Sequence, residues 1–401
     1  MQTGSKVYIA GAGIISAIGN NIAQCIAALE NSNAGIGEMQ QLTSVHKKTL
    51  PVAEVKASNK ILAEWAQLPA NITRTALLGT IAARETLHNA GIRNFNGLRA
   101  GLLSANSVGG MDKTEDFYAL FLKDNTAGRL RNVINHECGS ATKIMANALG
   151  IKDFITTVST ACSSSANAIF FGARLIKNNI LDVVVAGGAD ALTRFTLNGF
   201  NSLMILDNEA CKPFDENRKG LNLGEGAGYI VMLSEKALQV LNAQPVCTLS
   251  GYCNANDAYH QTASSPSGTG SFLAMKGALQ KSGLQPSAID YINLHGTGTK
   301  NNDVSEGTAI KEIFDPHYPK MSSTKSFTGH TLGASGGIEA VFSMLAIQRG
   351  FIYPNLRFTT QMKELPFMPE TTFAKGVEVN HVLSNSFGFG GNCSSLIFSK
   401  I

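Results

Sequence analysis

Short apolar runs alternate along this chain with longer stretches of helical periodicity. The runs at 154–158, 181–186, 229–233 and 382–383 are rich in β-branched and large apolar residues, as strands covered on both faces require. Windows 74–90, 272–282 and 304–313 space their apolar residues at three- and four-residue intervals, which predicts amphipathic helices. Two further helix-like stretches, 166–176 and 338–347, each follow a cluster of small and hydroxylated residues. Strands alternating with helices in this way predict a layered α/β architecture. The strand-turn-helix around residue 162 has a loose counterpart around residue 330, although no residue-level repeat is visible.

At 401 residues the chain is long enough for two or three average domains or one large α/β unit, and no low-complexity segment or linker divides it. Its formal net charge is +4 without any dense Lys/Arg block, so nucleic-acid binding is not supported, while an acidic protein partner would suit the surface. The seven cysteines (Cys25, Cys138, Cys162, Cys211, Cys247, Cys253, Cys393) are odd in number, scattered and free of any C-x-x-C pair. A disulfide framework or zinc site is therefore not expected. The opening Met1-Gln2-Thr3-Gly4-Ser5-Lys6 lacks a leader pattern and no apolar run approaches about 18 residues, so a soluble, cytoplasmic protein with no membrane association is expected.

Candidate chemistry sits in small-residue motifs. Cys162 lies in Val158-Ser159-Thr160-Ala161-Cys162-Ser163-Ser164-Ser165, between a predicted strand and a predicted helix. At such a turn the unpaired N–H groups and positive dipole end of the helix favour a thiolate, so a thiol more reactive than a free one is expected. The same turn can offer an N–H to an oxyanion. His295 follows the apolar Tyr291-Ile292-Asn293-Leu294 and opens the loop Gly296-Thr297-Gly298-Thr299. His330 lies in Lys325-Ser326-Phe327-Thr328-Gly329-His330-Thr331-Leu332-Gly333, ahead of the helix pattern at 338–347. A lone buried cysteine or histidine is ordinarily a packing residue. One cysteine turn in the first half matched by two histidine turns in the second points instead to covalent catalysis. His46, His88, His136, His317 and His381 match no motif and read as structural or exposed.

Taken in order, these motifs resemble the elongating β-ketoacyl-[acyl-carrier-protein] synthases of the thiolase superfamily, nearly end to end. The resemblance is carried by the opening Val7-Tyr8-Ile9-Ala10-Gly11-Ala12-Gly13, the cysteine turn, Val185-Ala186-Gly187-Gly188-Ala189-Asp190, Pro213-Phe214-Asp215 and Gly224-Glu225-Gly226-Ala227-Gly228. Asp257-Ala258-Tyr259-His260, both histidine motifs and Asn385-Ser386-Phe387-Gly388-Phe389-Gly390-Gly391 complete it. It implies the five-layered αβαβα thiolase fold in two related halves, 1–250 carrying the cysteine and 251–401 carrying the histidines and a gating loop.

The resemblance also implies roles. Cys162 would take an acyl chain from an acyl carrier protein as a thioester, with an oxyanion site built from its own N–H and that of Phe389. The Phe389 side chain would gate the path to the carrier's phosphopantetheine arm. His295 and His330 would hold the malonyl thioester oxygen as it becomes an enolate, one of them assisting loss of the carboxylate. Lys325 and Glu339 would form a buried pair behind the histidine turn. Thr297 and Thr299 would bond the phosphopantetheine arm, Asp303 and Glu306 would brace the His295 loop, and Asp257, His260 and Thr262 fall in a mobile segment beside Phe389. The implied partners are the acyl- and malonyl-loaded carrier protein and a second subunit, either another copy or a chain-length-factor-like ketosynthase. Val108 is placed near that interface and the far end of the acyl tunnel. No metal or cofactor is called for.

Three segments depart from the usual fatty-acid enzymes: Lys300-Asn301-Asn302-Asp303, Gly220-Leu221-Asn222-Leu223-Gly224 and His136-Glu137-Cys138-Gly139-Ser140. They look more like ketosynthases of aryl polyene and flexirubin pigment pathways, with fatty-acid elongation as the alternative. The carrier-docking basic residues do not transfer, since Arg74 is the only charge in Asn71-Ile72-Thr73-Arg74. A non-catalytic chain-length subunit typically lacks the cysteine, so retention of all three reactive residues argues for the catalytic member of any pair. A thiolase-type acyltransferase would use a second cysteine as base, but Cys393 follows Gly-Phe-Gly-Gly-Asn rather than preceding a glycine run.

Overall fold

Ten strands of the described residues pair into one sheet, five from each half of the chain. The first five are β1 (Tyr8–Ser16), β2 (Ala100–Ala105), β3 (Phe154–Val158), β4 (Val183–Asp190) and β5 (Gly226–Leu233). The second five are β6 (Cys247–Asn256), β7 (Tyr291–Asn293), β8 (Lys320–Ser322), β9 (His381–Phe387) and β10 (Asn392–Ser399). This computed structural model describes residues 6–95 and 97–401; Met1 to Ser5, read above for a leader, lie outside the described residues, as does Asn96.

The order across the sheet is β8-β7-β9-β10-β6-β1-β5-β4-β2-β3. Counted outward from the centre, each half therefore runs first strand, fifth, fourth, second, third. The first two pairings of each half are antiparallel and the last two parallel. The repeat that the residues do not display is thus present in the topology. Within the sheet the two halves meet where β1 pairs with β6, at Tyr8↔Thr248 and Ile9↔Cys247.

Helices α1 (Arg74–Asn89) and α2 (Cys138–Leu149) pack with the first half, and α4 (Thr269–Ser282) and α5 (Lys300–Phe314) with the second. Between the halves lie α3 (Ser164–Lys177) and α6 (Ser335–Arg349), touching each other and strands of both. The result is the αβαβα stack. Every residue of α6 from Ser335 to Ile347 is buried, as expected of a helix clasped on all sides. A Cβ on Gly13 of β1 would lie 2.1 Å from the Ala82 carbonyl oxygen, so the glycine lets α1 press onto the strand.

Boundaries moved where apolar content and strand pairing diverge. The run at 181–186 becomes β4, Val183–Asp190, because Gly187 to Asp190 keep pairing with β5 although they add little apolar surface. The pair at 382–383 is the start of a seven-residue strand whose Ser384, Asn385 and Ser386 are buried and hydrogen-bonded. No helix of the described residues is long and apolar enough to cross a membrane.

Candidate active site

Cys162 lies between β3 and α3 on a turn whose preceding residue, Ala161, has φ +52°. A left-handed alanine is strained, and hydrogen bonds hold it there. The Thr160 N–H donates to Ser164 Oγ at 2.8 Å, and Ser163 Oγ donates to Asn392 Oδ1 at 2.7 Å. Asn392 Oδ1 also accepts from Asn167 Nδ2 at 2.8 Å and Asn254 Nδ2 at 2.7 Å, tying the turn to β10 and β6. Gly388, at the end of β9, comes so near that a Cβ there would meet Thr160 O at 3.0 Å and Cys162 N at 3.2 Å. The backbone N–H groups of Phe389 and of Cys162 itself lie near enough to the Cys162 sulfur to favour its anion. Two donors from opposite halves therefore converge on one atom.

The expected thiolate is not what this environment favours. Only 4% of Cys162 is exposed, and burial pushes the thiol up to about 11. The Lys325 charge and the two N–H groups pull the other way, while the Asp190 carboxylate adds to the rise. Loss of water around the sulfur outweighs the helix end here, so the resting group is the neutral thiol.

The second half supplies the imidazoles. His295 follows β7, and its N–H and that of Gly296 donate to the two oxygens of Glu306 at 2.9 and 2.8 Å. Its Nδ1 lies 3.2 Å from Lys325 Nζ, and Lys325 is ion-paired to Glu339 with both side chains buried. An ammonium only donates, so His295 Nδ1 accepts and the ring proton resides on Nε2. His330 reaches the same state another way: its Nδ1 accepts from the Leu332 N–H at 3.1 Å, with Ser335 Oγ also 3.1 Å away. Its main chain is held by Asn222 O and the Gly224 N–H. The rings stand edge to face, centroids 5.4 Å apart. Burial first, then the Lys325 charge, holds both imidazoles well below their ordinary range and hence neutral.

Around this core, Asp303 accepts from the N–H groups of Phe214, Thr297 and Gly298 and pairs with Arg218 at 3.7 Å. Thr297 and Thr299 share a hydrogen bond of 2.9 Å. Asp257 accepts from Ser265 N, Ser265 Oγ and Gly270 N, so it anchors its loop to the start of α4. His260 is exposed, and its Nδ1 accepts from the Thr262 N–H at 3.1 Å. Cys162, His295, His330, Phe389, Thr297, Thr299, Asp257 and Thr262 all face one pocket of about 220 Å³. Lys325, Glu339, Asp303, Glu306 and His260 stand outside its lining. Phe389 is half-buried and stacks on Phe200 with centroids 5.6 Å apart.

Two residues weighed in the sequence, Arg74 and Cys393, find their places in the structure. Arg74 is buried, donating to Glu225 at 2.6 and 2.9 Å, to Val55 O and to Ala57 O, so it is a core ion pair rather than a docking charge. Cys393 does line the pocket, but burial pushes its thiol up to about 12, which counts against service as a base. Sequence reasoning assigned no role to Asn392, Asn167, Arg218 or Asp190. Asn222, in one of the departing segments, is buried and bonds Cys211 N, Asp207 O and Glu209 O, which accounts for a polar residue there. Among the described residues no cluster of His, Cys, Asp or Glu is arranged to hold a metal.

Fold and pocket define an acyl-transfer enzyme of the thiolase-like class, and comparison with known proteins narrows it. The descriptions "Beta-ketoacyl synthase, N-terminal domain" and "Beta-ketoacyl synthase, C-terminal domain" match residues 4–237 and 246–359. The chain is 32% identical over 418 residues to 3-oxoacyl-[acyl-carrier-protein] synthase 2 of Staphylococcus aureus, covering 100% of this chain and 99% of that one. Its structure is similar to the ishigamide ketosynthase/chain length factor, with TM-score 0.94, 27% identity and full coverage of both chains. It is similar too to a ketosynthase in complex with its chain length factor from Xenorhabdus doucetiae, with TM-score 0.85, 31% identity and coverage of 99% and 98%. The chain belongs to the β-ketoacyl synthase family and is an acyltransferase-type enzyme.

Proposed function

We propose that this enzyme extends an acyl chain by decarboxylative condensation, with Cys162 as nucleophile and His295 and His330 as paired donors. The carrying observation is that both imidazoles have Nδ1 engaged by a donor, Lys325 or the Leu332 N–H, which leaves Nε2–H as their free donor.

In the first step Cys162 attacks the acyl thioester on the carrier arm, and the carbonyl oxygen gathers charge between the N–H groups of Cys162 and Phe389. The bond to the carrier sulfur breaks, and the proton lost by Cys162 leaves with that sulfur, so no resident base is consumed. A thiol with its pKa raised is compatible with this exchange because the proton balance closes. In the second step the bond to the malonyl carboxylate breaks, CO₂ departs and the electron pair enters an enolate whose oxygen is held by His295 and His330. The enolate carbon then attacks the Cys162 thioester; the sulfur leaves as thiolate and regains a proton from water. Neutral imidazoles hold the enolate without repelling or protonating it.

Thr297 and Thr299, in the pocket lining, bond the phosphopantetheine arm, and Phe389 with the 257–262 segment gates it. The likeness to two ketosynthases whose descriptions name a chain length factor supports pairing with such a subunit, and retention of Cys162, His295 and His330 supports this chain as the catalytic member. We take the acyl chain to be a conjugated polyene of the pigment type and place the reaction in the cytoplasm, where seven free cysteines stay reduced. Intact-mass analysis of wild type and Cys162→Ala tests this, using saturated and polyenoyl carrier protein followed by malonyl carrier protein. Adducts on wild type alone, with faster condensation of the polyenoyl chain, are expected. A preference for the saturated chain would return the enzyme to fatty-acid elongation, and no adduct with either would overturn the Cys162 assignment.

A further inference from the structure

The two halves grip each other's catalytic turns in equivalent places. By strand order β3 corresponds to β8 and β4 to β9, so the turn of Cys162 corresponds to that of His330. The end of β9, at Gly388, abuts the Cys162 turn. The end of β4, at Asp190, abuts the His330 turn, and there the contact is a buried carboxylate that the mechanism above does not use.

Asp190 is fully buried. Its Oδ2 accepts from the Gly333 N–H at 2.7 Å, and its two oxygens accept from the Ser107 N–H at 2.9 and 3.0 Å. The peptide group that follows Leu332 is thereby fixed, and Leu332 is the residue whose N–H holds His330 Nδ1. Leu332 has φ +52°, a conformation that needs outside support. From the other side Ser165 Oγ, on the nucleophile helix, donates to the Gly333 carbonyl and accepts from the Gly337 N–H. Gly333 cannot be larger: a Cβ would meet Asp190 Oδ2 at 2.8 Å and Ser107 Oγ at 2.8 Å.

We propose that Asp190 is a positioning residue for condensation: its carboxylate locks the His330 turn to the loop after β2 and so aims the His330 Nε2–H at the enolate oxygen. This rests on the roles given above to Cys162 and His330. The carboxylate also acts on the nucleophile electrostatically, adding to the larger effect of burial. Its charge raises the thiols of Cys162 and of Cys138 at the start of α2, and the phenol of Tyr229 on β5. Burial lifts its own titration to about 7, so at pH 8 the group is mostly ionised and opposes thiolate formation at Cys162. A neutral isostere therefore has two separable effects. It frees the thiol, and it sets an amide N–H₂ against backbone N–H groups, loosening the His330 turn.

The test compares Asp190→Asn with wild type in three assays: iodoacetamide alkylation of Cys162 at pH 8, acyl-adduct formation from acyl carrier protein, and condensation with malonyl carrier protein. Alkylation should accelerate roughly 3- to 10-fold, because a charge that opposes the Cys162 thiolate is removed. Adduct formation should persist, while the condensation kcat drops about tenfold or more with the malonyl KM within about twofold. Ser165→Ala, which releases the Gly333 carbonyl but keeps the charge, should lower condensation with the alkylation rate unchanged, and it carries the test if Asp190→Asn does not fold. Condensation at the wild-type kcat in either variant overturns the proposal, as does an equal loss of both half-reactions with unaltered alkylation. A wild-type enzyme that forms no adduct would instead remove the catalytic reading itself.

Discussion

His295 and His330 carry the same tautomer for different reasons, and that is where chemistry is decided at the scale of single residues. Lys325 fixes one ring with an ammonium, and Leu332 fixes the other with a backbone N–H. If the work of His330 is donation, then His330→Leu, which leaves no donor, should slow malonyl decarboxylation by about 10²- to 10³-fold, the usual loss for one donor at a developing oxyanion. His330→Gln retains an N–H near the Nε2 position and should recover part of that loss. Release of CO₂ from malonyl carrier protein measures both, and equal rates for the two variants would exclude donation as the role. The residues proposed as catalytic were legible because glycine, threonine and serine around a cysteine or histidine serve a turn that brings a side chain into a pocket, not a packed core. Their ionisation was not. The helix end next to Cys162 argues for a thiolate, while the 4% exposure that reverses it belongs to the folded molecule.

At the scale of elements, the N-terminus of α5 and the segment at 257–264 share a contact that comes from one of the departing motifs. Asn301 Oδ1 accepts from the Ser264 N–H at 2.7 Å. The same segment accepts from the Gly390 N–H at Gln261 O, 2.7 Å, and donates from Asp257 N to Gly391 O, 2.8 Å. The Phe389 loop is thereby tied to a strap with one end latched on α5, so the proposed gating would strain that latch. Asn301 is exposed, so its bond is worth about 1 kcal/mol, a factor of about five in the population of the unlatched state. Asn301→Ala should shorten the lifetime of the Cys162 acyl adduct in the absence of malonyl carrier by about 3- to 10-fold, as water reaches the thioester more often. Loss of adduct followed by intact mass reads this, and an unchanged lifetime would show that the latch does not restrain the gate. Sequence marked this segment as unusual without saying what it touches, because the partner lies 37 residues away on another element. Asn392 and Asn167, 225 residues apart, were hidden for the same reason. The end of β4 was missed for a different one: Gly187 to Asp190 follow a strand's pairing with almost no strand-like side chains.

For the whole molecule, folding buries carboxylates both where the halves meet, at Asp190, and within the second half, at Glu306, and their burial dictates a pH dependence of stability. Asp190 and Glu306 are both lifted to about 7 by burial, in spite of the N–H groups they accept from. In the unfolded chain such groups titrate near 4. Between roughly pH 4 and 7 the folded protein therefore holds more protons than the unfolded one. Its stability falls as pH rises through that window, by up to about 1.4 kcal/mol per pH unit for each fully differing proton. Two opposing contributions are present. His295 and His330, held below the imidazole range, lose stability as pH falls below their unfolded value, and Asp182, drawn down to about 2 by Arg99, adds stability above its unfolded value and loses it as pH falls towards about 2. Glu306 can be separated from these because it binds the His295 and Gly296 N–H groups and Asn385 Nδ2 without any ion pair. Glu306→Gln should change the melting temperature least at pH 5, where the native carboxyl is already protonated, raise it at pH 8, and so flatten its dependence between pH 5 and 8. A variant whose melting temperature keeps the wild-type slope across that range would mean that Glu306 is ionised throughout, and that its three donors, not burial, set its charge.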